Sequence, residues 1–595
     1  MSFITIILFF VYTWGLGFGL LDLVKVKQAD NEFEKQFMRI GVGLGVFPVI
    51  VVLFSLLHIP LYWWLFLILS LVMPILRVKS FKVPKIGLTK ANIYSLIMLV
   101  LFAFSLFMYT KGAFAYPYLE DDDPWSHALG VSYIVETKSI REPIDDLWFQ
   151  YFDPYPPGYD GLMGVLQQTS NNIMFTLKFF NALIISLGTI FFYYFSKRFM
   201  RNSKKALFAT FCLAMVPAFL SHFIWAISLA VILYFVAFYA TLKIEDESKW
   251  WIVAAFMVGG TLLLTPTHST YFGLFFLLYF ITLCVVHRKF MKYEFLAGLV
   301  GLGLSMIWWI PTIVLWGYRG AMEGVGLGGQ SVFKVAGTGD KSYALSDFIF
   351  AQSQNMINSP IGIGIFISIL IAVFLVSIFF TYKQLKEKKN HWVIISFVWL
   401  IFTFYAVNAA KMPIKISPFR TWMLLAIPVC LLAAQGLWFL FAVGKSKGLR
   451  TGLLFVFIVG IIFTSGVHKY NLNTAQWPPG AFWGNMEEID AYLWLQETNL
   501  RPYTFIAAGA ISGIGKYYCV YCDDMIKFSD TGPNQTIEEY TTFLRNNDFD
   551  SIIISALDAK HYNQEVVVDA MQRLADSDKF TIAFQNNGAL ILQLA

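Results

Sequence analysis

Long apolar runs dominate this chain of 595 residues, and they constrain its fold more than any other feature. Hydrophobic residues make up 57% of the chain and charged residues only 14%. A helix needs about 20 apolar residues to cross a bilayer, where every backbone polar group must be satisfied internally. The composition therefore excludes a soluble or disordered chain and predicts a mostly α protein, a polytopic membrane helix bundle.

A window of about 20 residues predicts about 14 spans in the sequence. They lie near 3–24, 39–58, 60–77, 92–111, 173–196, 205–220, 223–242, 250–266, 269–286, 293–316, 360–381, 392–408, 420–442 and 451–466. The first run is interpreted as a transmembrane helix and not as a cleaved signal peptide. No charge precedes Phe3, and no Ala-x-Ala cleavage site follows before Lys25.

Basic residues cluster in alternate loops between these spans, as Lys197, Arg198 and Arg201 do. By the positive-inside rule, both termini and the two long loops at 112–172 and 317–359 are then outside. We predict a multi-pass integral protein of the cell membrane with its active site and C-terminal domain extracytoplasmic. The formal net charge of +6 is small and evenly spread, which indicates no nucleic-acid partner.

The composition changes near Tyr470, where charged residues become more frequent and apolar runs shorten. The pattern predicts a helix over Met486–Asn499, a buried strand over Ser551–Ser555 and a closing strand pair around Asn587-Gly588. We predict a small outer α/β domain. The predicted domains are 1–91 (N-terminal extra helices), 92–468 (catalytic core) and 469–595 (outer domain).

Four consecutive carboxylates, from Glu120 to Asp123, follow directly on an apolar run. Such a cluster cannot face lipid, and hard divalent cations bind carboxylate oxygens and bridge to phosphates. Because Pro124 stiffens the turn, we predict Asp122 and Asp123 as metal-binding and catalytic residues. A solvated acidic loop is the alternative. His127, one turn further on, either shares the site or caps and pairs locally.

A segment rich in proline and aromatic residues runs from Tyr151 to Asp160 in the same loop. Its stiff, ring-lined surface suits sugars or lipid headgroups, and Asp153 and Tyr155 are its candidate substrate-binding residues. The same pattern also suits a loop that is merely held on the membrane surface.

Further candidates lie at the predicted outer ends of later spans. Lys411, Lys415 and Arg420 form a basic cluster against the positive-inside trend, which favours anion binding. His268 is a candidate substrate-binding residue, and His222 a candidate metal ligand. Histidines at such positions often only cap helices, and that alternative stays open.

The order of these features resembles a known family. A span, an outer loop with Asp-Pro-Trp, and a Phe-Asp-Pro-Tyr segment resemble the first outer loop of GT-C membrane glycosyltransferases. The nearest similarity is to the catalytic subunit of archaeal or bacterial oligosaccharyltransferase. The segment Ser417–Arg420 at the start of a span is similar to that family's late helix with its arginine, and Leu493–Asn499 to the start of its outer domain.

The resemblance implies a lipid-linked sugar donor with a polyprenyl phosphate or pyrophosphate leaving group, a divalent metal (Mn or Mg) and an inverting transfer. Asp123 would bind the metal and the acceptor, and Arg420 the donor phosphate, so both are expected in one hollow. The sequence departs from the family after Pro217, where no acidic motif follows, and it lacks the Trp-Trp-Asp-Tyr-Gly motif that recognises the protein acceptor.

We therefore predict a membrane glycosyltransferase that moves a sugar or oligosaccharide to an acceptor on the outer face. Its partners would be a polyprenyl-linked donor, a protein or glycan acceptor and membrane lipids. A GT-C transferase with another acceptor class, such as a lipid or a protein hydroxyl, is the alternative, as is a non-catalytic relative that binds glycans. A transporter is disfavoured, because few charges fall within the spans and no repeat is visible.

Overall fold

The structure is a computed structural model that describes residues 2–78, 89–141, 155–170, 172–324, 342–354, 359–383, 387–412, 419–444, 446–477, 485–506, 528 and 530–595. It forms two compact units. The first comprises Met1–Ala115 and Phe152–Ala475, and the second comprises Tyr116–Tyr151 and Gln476–Ala595. The acidic stretch thus groups with the C-terminal residues. The domain boundaries predicted at 91/92 and 468/469 stay predictions.

Helices account for nearly all regular structure up to residue 474. They are α1 (Ser2–Val24), α2 (Glu32–Leu56), α3 (Trp63–Leu76), α4 (Lys90–Ala113), α5 (Asp122–Thr137, in the second unit), α6 (Gly158–Ser170), α7 (Ile173–Met200), α8 (Ser203–Met215), α9 (Ala226–Lys243), α10 (Trp250–Leu262), α11 (Pro266–His287), α12 (Lys292–Gly324), α13 (Leu345–Ile349), α14 (Ile365–Thr381), α15 (His391–Val407), α16 (Trp422–Val443), α17 (Lys447–Ile461) and α18 (Val467–Thr474). Short 3-10 turns lie at Lys388–Asn390, Ala409–Lys411 and Phe419–Thr421, and a π-helical stretch, Ile462–Gly466, joins α17 to α18.

Every predicted span falls on one of these helices, so the predicted polytopic bundle is confirmed. In the described parts of the chain, nine helices are long and apolar enough to cross a membrane. The estimate of about 14 spans is larger because α3, α8, α10, α14 and α15 are only 13 to 17 residues long. The chain is a multi-pass integral membrane protein.

Glycines let the first helices approach one another closely. A Cβ atom on Gly43 of α2 would lie 1.6 Å from the Thr13 carbonyl oxygen, and one on Gly17 of α1 would lie 1.8 Å from that of Arg39. Small residues at such crossings allow backbone contact between membrane helices. The pair α1 and α2 therefore packs as one block.

Ion pairs lie at the end of the bundle that the sequence predicts as inner. Lys197 Nζ lies 2.6 Å from Glu34 Oε2, and Arg201 Nη2 lies 2.7 Å from Glu245 Oε2. The Tyr239 hydroxyl also donates to Glu34 at 2.9 Å. These partners compensate basic side chains that would otherwise be costly to hold between packed helices.

The second unit contains α5 and a small α/β assembly. Its remaining elements are α19 (Met486–Gln496), β1 (Pro502–Thr504), α20 (Ile537–Asn546), β2 (Ser551–Ser555), α21 (Ala556–Tyr562), α22 (Gln564–Ala575), β3 (Phe580–Gln585) and β4 (Ala589–Leu594), with a 3-10 turn at Gly532–Asn534.

The strands form one sheet in the order β1-β2-β4-β3, in which β1 and β2 are parallel and the other pairs antiparallel. Ile553 of β2 faces Ile591 of β4 in the register. The predicted closing hairpin turns at Asn586–Gly588, where Asn586 Oδ1 accepts the Gly588 N–H at 2.9 Å. A Cβ on Gly588 would lie 2.4 Å from Asn485 Oδ1, so this turn packs tightly on the start of α19. The predicted small α/β fold of the C-terminal residues is confirmed; its position outside the membrane stays a prediction.

Candidate functional site

The acidic stretch leads into α5 in the second unit. α5 begins at Asp122, and Asp123 is exposed, whereas Glu120 is 7% exposed and His127 only 2%. Trp125, one residue past Pro124, is also buried. Acidic residues in a first helical turn are favourable next to the positive end of the helix dipole. The helix thus buries one face and leaves the Asp123 carboxylate accessible.

More carboxylates of the same unit lie near the start of this segment. Burial raises the pKa of the Tyr116 hydroxyl, and the neighbouring Tyr118, Glu120, Asp490 and Glu488 raise it further. Because the carboxylates of Glu120, Glu488 and Asp490 all act on the Tyr116 hydroxyl, they belong to one acidic region. Such a region attracts cations.

The predicted metal ligands fall in different units. Asp122 and Asp123 belong to the second unit, whereas His222 belongs to the first. In the described parts of the chain, no group of three or more His, Cys, Asp or Glu side chains is placed to hold a metal ion. A metal site built on Asp122, Asp123 and His222 stays a prediction, as does the hollow shared by Asp123 and Arg420.

In the first unit, Arg420 lies at the start of a helix. It is part of the 3-10 turn Phe419–Thr421 that leads into α16. Its guanidinium carbon lies 6.0 Å from the centre of the Trp225 ring, and the side chain is partly exposed. Trp225 is itself the N-cap of α9, so the contact brings two helix N-termini together.

His268 adds a third helix N-terminus to this group. It lies in the first turn of α11, which begins at Pro266. The side chain is 0% exposed, and at least one ring nitrogen has no hydrogen-bond partner among the described residues. The ring interacts with the Arg420 backbone through a hydrogen bond and with the Arg420 guanidinium electrostatically. The backbone oxygen of His268 accepts the Tyr234 hydroxyl of α9, which fixes α11 to α9.

His222 is 1% exposed and lies in the buried segment that joins α8 to α9. Its backbone N–H donates to Asn473 Oδ1 at 2.9 Å. A Cβ on Gly112 of α4 would lie 2.7 Å from its Nδ1, so the ring is packed against α4. The sequence alternative, a histidine that serves packing, fits this tight enclosure.

The other predicted substrate-binding residues are only partly described. Tyr155 is partly buried just before α6, and Lys411 is exposed at the end of a 3-10 turn. Asp153 and Lys415 lie outside the described residues. Their predicted roles therefore stay predictions.

A cavity of about 650 Å³ lies between α11 and α12, with α10 on a third side. Pro266 and Ser269 line it at the start of α11, and Phe280 lines it further along. A Cβ on Gly273, another lining residue, would meet nothing within 4 Å. With a rise of about 1.5 Å per residue, the stretch from Pro266 to Phe280 spans about 20 Å. This cavity is apolar and begins beside His268.

Trp225 is a residue of the candidate site that sequence reasoning missed. Its indole nitrogen is buried and has no hydrogen-bond partner among the described residues. Trp225 directly precedes α9. Its place next to a predicted outer helix end is a sequence signal, but 18 tryptophans in the chain make it unspecific.

The helix order and the cluster of helix N-termini at one end define a polytopic membrane bundle of the GT-C fold, as the sequence predicts. Solved structures support this fold assignment. The apo oligosaccharyltransferase of Archaeoglobus fulgidus matches with a TM-score of 0.50 and 11% identity, over 79% of this chain and 71% of that one.

ArnT from Cupriavidus metallidurans matches in two states. The structure bound to undecaprenyl phosphate has a TM-score of 0.51 and 11% identity, over 84% of this chain and 97% of that one. The apo structure has a TM-score of 0.52 and 12% identity, over 85% and 98%. No family model matches the sequence, and no curated protein sequence matches it.

Proposed function

We propose that the protein is a membrane glycosyltransferase. It transfers a sugar or oligosaccharide from a polyprenyl phosphate or pyrophosphate donor to an acceptor on the outer face of the membrane. Its fold is shared with an oligosaccharyltransferase and with ArnT, one structure of which holds undecaprenyl phosphate. The resemblance in the first outer loop supports the same class.

One observation carries the proposal: Arg420, Trp225 and His268 converge at the starts of α16, α9 and α11. Helix N-termini carry partial positive charge and exposed N–H groups, which suit phosphate. A planar guanidinium binds phosphate through two parallel hydrogen bonds. One nitrogen of the buried His268 ring and the Trp225 indole N–H have no described partner, so a ligand oxygen would satisfy them.

The apolar cavity beside this cluster supports a lipid-linked donor. Its lining residues Pro266 and Ser269 flank His268 in the sequence, and the cavity follows α11 for several turns. A phosphate held at Arg420 and His268 would therefore leave its polyprenyl chain next to an apolar channel. Packing of such a chain against the apolar lining supplies dispersion contacts.

Asp123 and Asp122 are proposed to hold Mn²⁺ or Mg²⁺ and to orient the acceptor. The donor set fits, because Mg²⁺ is commonly held by one or two carboxylates together with phosphates and water. The bound ion would supply positive charge that stabilises the leaving phosphate. The exposed Asp123 carboxylate accepts a hydrogen bond from the acceptor group and so fixes the attacking atom for an inverting transfer.

The acceptor class is open between protein, glycan and lipid. Transfer to protein follows from the likeness to oligosaccharyltransferase, but the motif that recognises its protein acceptor is missing from the sequence. The proposal therefore names the donor side of the reaction and leaves the acceptor to experiment.

Turnover of a radiolabelled polyprenyl-linked sugar by the full-length protein tests the proposal. Peptide, glycan and lipid acceptors are compared with and without Mn²⁺ or Mg²⁺. We expect metal-dependent product from one acceptor class and its loss in Asp123→Ala. Asp578→Ala, which removes another exposed carboxylate of the same unit, is the matched control and keeps activity.

Full activity in Asp123→Ala would disprove the role of this carboxylate. Donor binding without turnover of any acceptor would favour the non-catalytic glycan-binding alternative. If the protein does not bind the donor, the proposed function is wrong.

A further inference from the structure

We infer that a buried polar clamp positions Trp225 for the phosphate site. The clamp consists of Tyr109, Asn181, Lys469 and Asn473, and it holds the segment Val216–Trp225. The inference rests on the proposed function, because it assigns a role toward the phosphate that Arg420 and Trp225 bind. It adds residues that neither the sequence motifs nor the family resemblance identifies.

The segment 216–225 has no regular secondary structure, yet it is buried. It joins α8 to α9 without forming a helix, and most of its side chains are buried. A buried backbone without secondary structure needs other partners for its N–H and C=O groups. Val216 bonds back to Cys212 of α8, but the carbonyls that follow need donors from neighbouring helices.

Lys469 of α18 supplies two of these bonds. It is 1% exposed, and its ammonium donates to the carbonyl oxygens of Phe219 and Leu220. The same ammonium lies 5.5 Å from the centre of the Tyr109 ring, and the Tyr109 hydroxyl donates to Leu220 at 3.3 Å. α4 and α18 therefore hold the middle of the segment together.

Two asparagines hold the part of the segment nearest to Trp225. Asn473 Oδ1 accepts the His222 N–H at 2.9 Å, and its Nδ2 donates to the Lys469 carbonyl at 2.9 Å. Asn181 of α7 donates to the Phe223 carbonyl at 2.9 Å. Both asparagines are 0% exposed.

The clamp ends two residues before Trp225. Because the backbone is fixed at His222 and Phe223, the path of the chain into α9 is fixed as well, and with it the Trp225 ring under Arg420.

Asn181 also accepts the Tyr159 hydroxyl of α6 at 3.2 Å. The helix that follows the predicted substrate segment is thus tied to the same network.

A purely structural role and a positioning role differ in what they change. Loss of a buried hydrogen bond lowers stability wherever it occurs, typically by about 1 kcal/mol. Loss of positioning also lowers affinity for phosphate, and that loss should disappear when Trp225 is absent. The test therefore compares two buried tyrosines whose hydroxyls both donate to a backbone carbonyl.

Tyr109→Phe removes the clamp bond to Leu220. Tyr12→Phe removes a bond of the same kind between α1 and α3. In the wild type, the hydroxyl of the 0% exposed Tyr12 donates to the Trp63 carbonyl at 3.1 Å. Affinity for undecaprenyl phosphate is measured on the full-length protein in lipid nanodiscs, together with thermal unfolding. Both substitutions are then repeated in a Trp225→Leu background, and Lys469→Met gives a stronger perturbation of the clamp.

We expect Tyr109→Phe to weaken binding about threefold to tenfold, by the free energy of one hydrogen bond. Tyr12→Phe should lower stability comparably and leave affinity unchanged. In the Trp225→Leu background, Tyr109→Phe should have no further effect on affinity. If the Lys469→Met variant folds, it should bind undecaprenyl phosphate more weakly than Tyr109→Phe does. If it does not fold, the comparison of the two tyrosine variants alone decides whether the inference holds.

Equal affinity in the two tyrosine variants would overturn the clamp inference and leave the proposed function standing. An additive effect in the Trp225→Leu background would also overturn it, since the clamp would then not act through Trp225. If the wild-type protein does not bind undecaprenyl phosphate, the proposed function fails first, and the inference fails with it.

Discussion

The guanidinium carbon of Arg420 lies 6.0 Å from the centre of the Trp225 ring. These residues are far apart in the sequence, yet each stands at the start of a membrane helix, α16 and α9. The indole face attracts the cation, and the guanidinium edge keeps its donors for another ligand. The pair thus joins two helix N-termini in a geometry that suits an anion.

Trp225→Leu should weaken binding of undecaprenyl phosphate about threefold to thirtyfold, the range expected for a cation–π contact worth about 0.5 to 2 kcal/mol. Trp250→Leu is the control, because Lys243 lies 5.7 Å from the Trp250 ring at the other end of α9. It should leave the affinity unchanged. Equal losses in both variants would show that the effect comes from general destabilisation.

His268→Leu should lower donor affinity and change stability little. At least one ring nitrogen of this buried histidine has no partner among the described residues, whereas the Arg420 backbone is a hydrogen-bond partner for the ring. Leucine removes the cost of the unsatisfied nitrogen together with that contact, and it cannot donate to phosphate. The melting temperature is measured with and without undecaprenyl phosphate. A variant that gains the wild-type shift with the ligand would contradict this role.

Asp558→Asn should make the second unit less sensitive to pH. Burial, together with the charge of Glu488, raises the pKa of the Asp558 carboxyl from 3.8 to about 7. The folded protein therefore binds more protons than the unfolded chain between about pH 4 and pH 7, so its stability falls as the pH rises through this window.

Asparagine keeps an acceptor for the Ser555 N–H, which Asp558 Oδ2 accepts at 2.7 Å. The variant should match the wild type near pH 4 and be more stable by a few kcal/mol at pH 8. Hydrogen exchange of β2 and β4 in the full-length protein at both pH values measures the difference. An equal gain at pH 4 and pH 8 would rule out the ionisation as its cause.

Much of the fold can be predicted from the sequence, because its helices and strands depend on the hydrophobic pattern of short stretches of residues. Apolar runs of membrane length predict the helices, and alternating strands with Asn587-Gly588 predict the hairpin of β3 and β4. The length of a span is less predictable from hydropathy: α8 and α10 end after 13 residues each, shortly before Pro217 and Pro266. A window that averages hydropathy does not register such stops.

The sequence indicates part of the candidate site. Arg420 and His268 are predicted as substrate-binding residues because polar residues at outer helix ends are unusual, and the structure brings these two together with Trp225. Trp225 was missed, since one aromatic residue among many gives no signal without its neighbours in space. Lys469 was missed for a similar reason: its carbonyl partners lie about 250 residues earlier in the chain.

The cavity between α11 and α12 can be filled without disturbing the fold. A Cβ on Gly273 would meet nothing within 4 Å, so Gly273→Leu places its side chain into the cavity. We expect this variant to bind undecaprenyl phosphate severalfold more weakly, because the leucine side chain takes the place of part of the polyprenyl chain and removes its packing contacts with the cavity. A short-chain polyprenyl phosphate that ends before this point should bind as it does to the wild type. Gly452→Leu of α17, where a Cβ also meets nothing within 4 Å, is the matched control and should bind both ligands normally. Equal affinity of Gly273→Leu and wild type for the long-chain ligand would show that the polyprenyl chain takes another path.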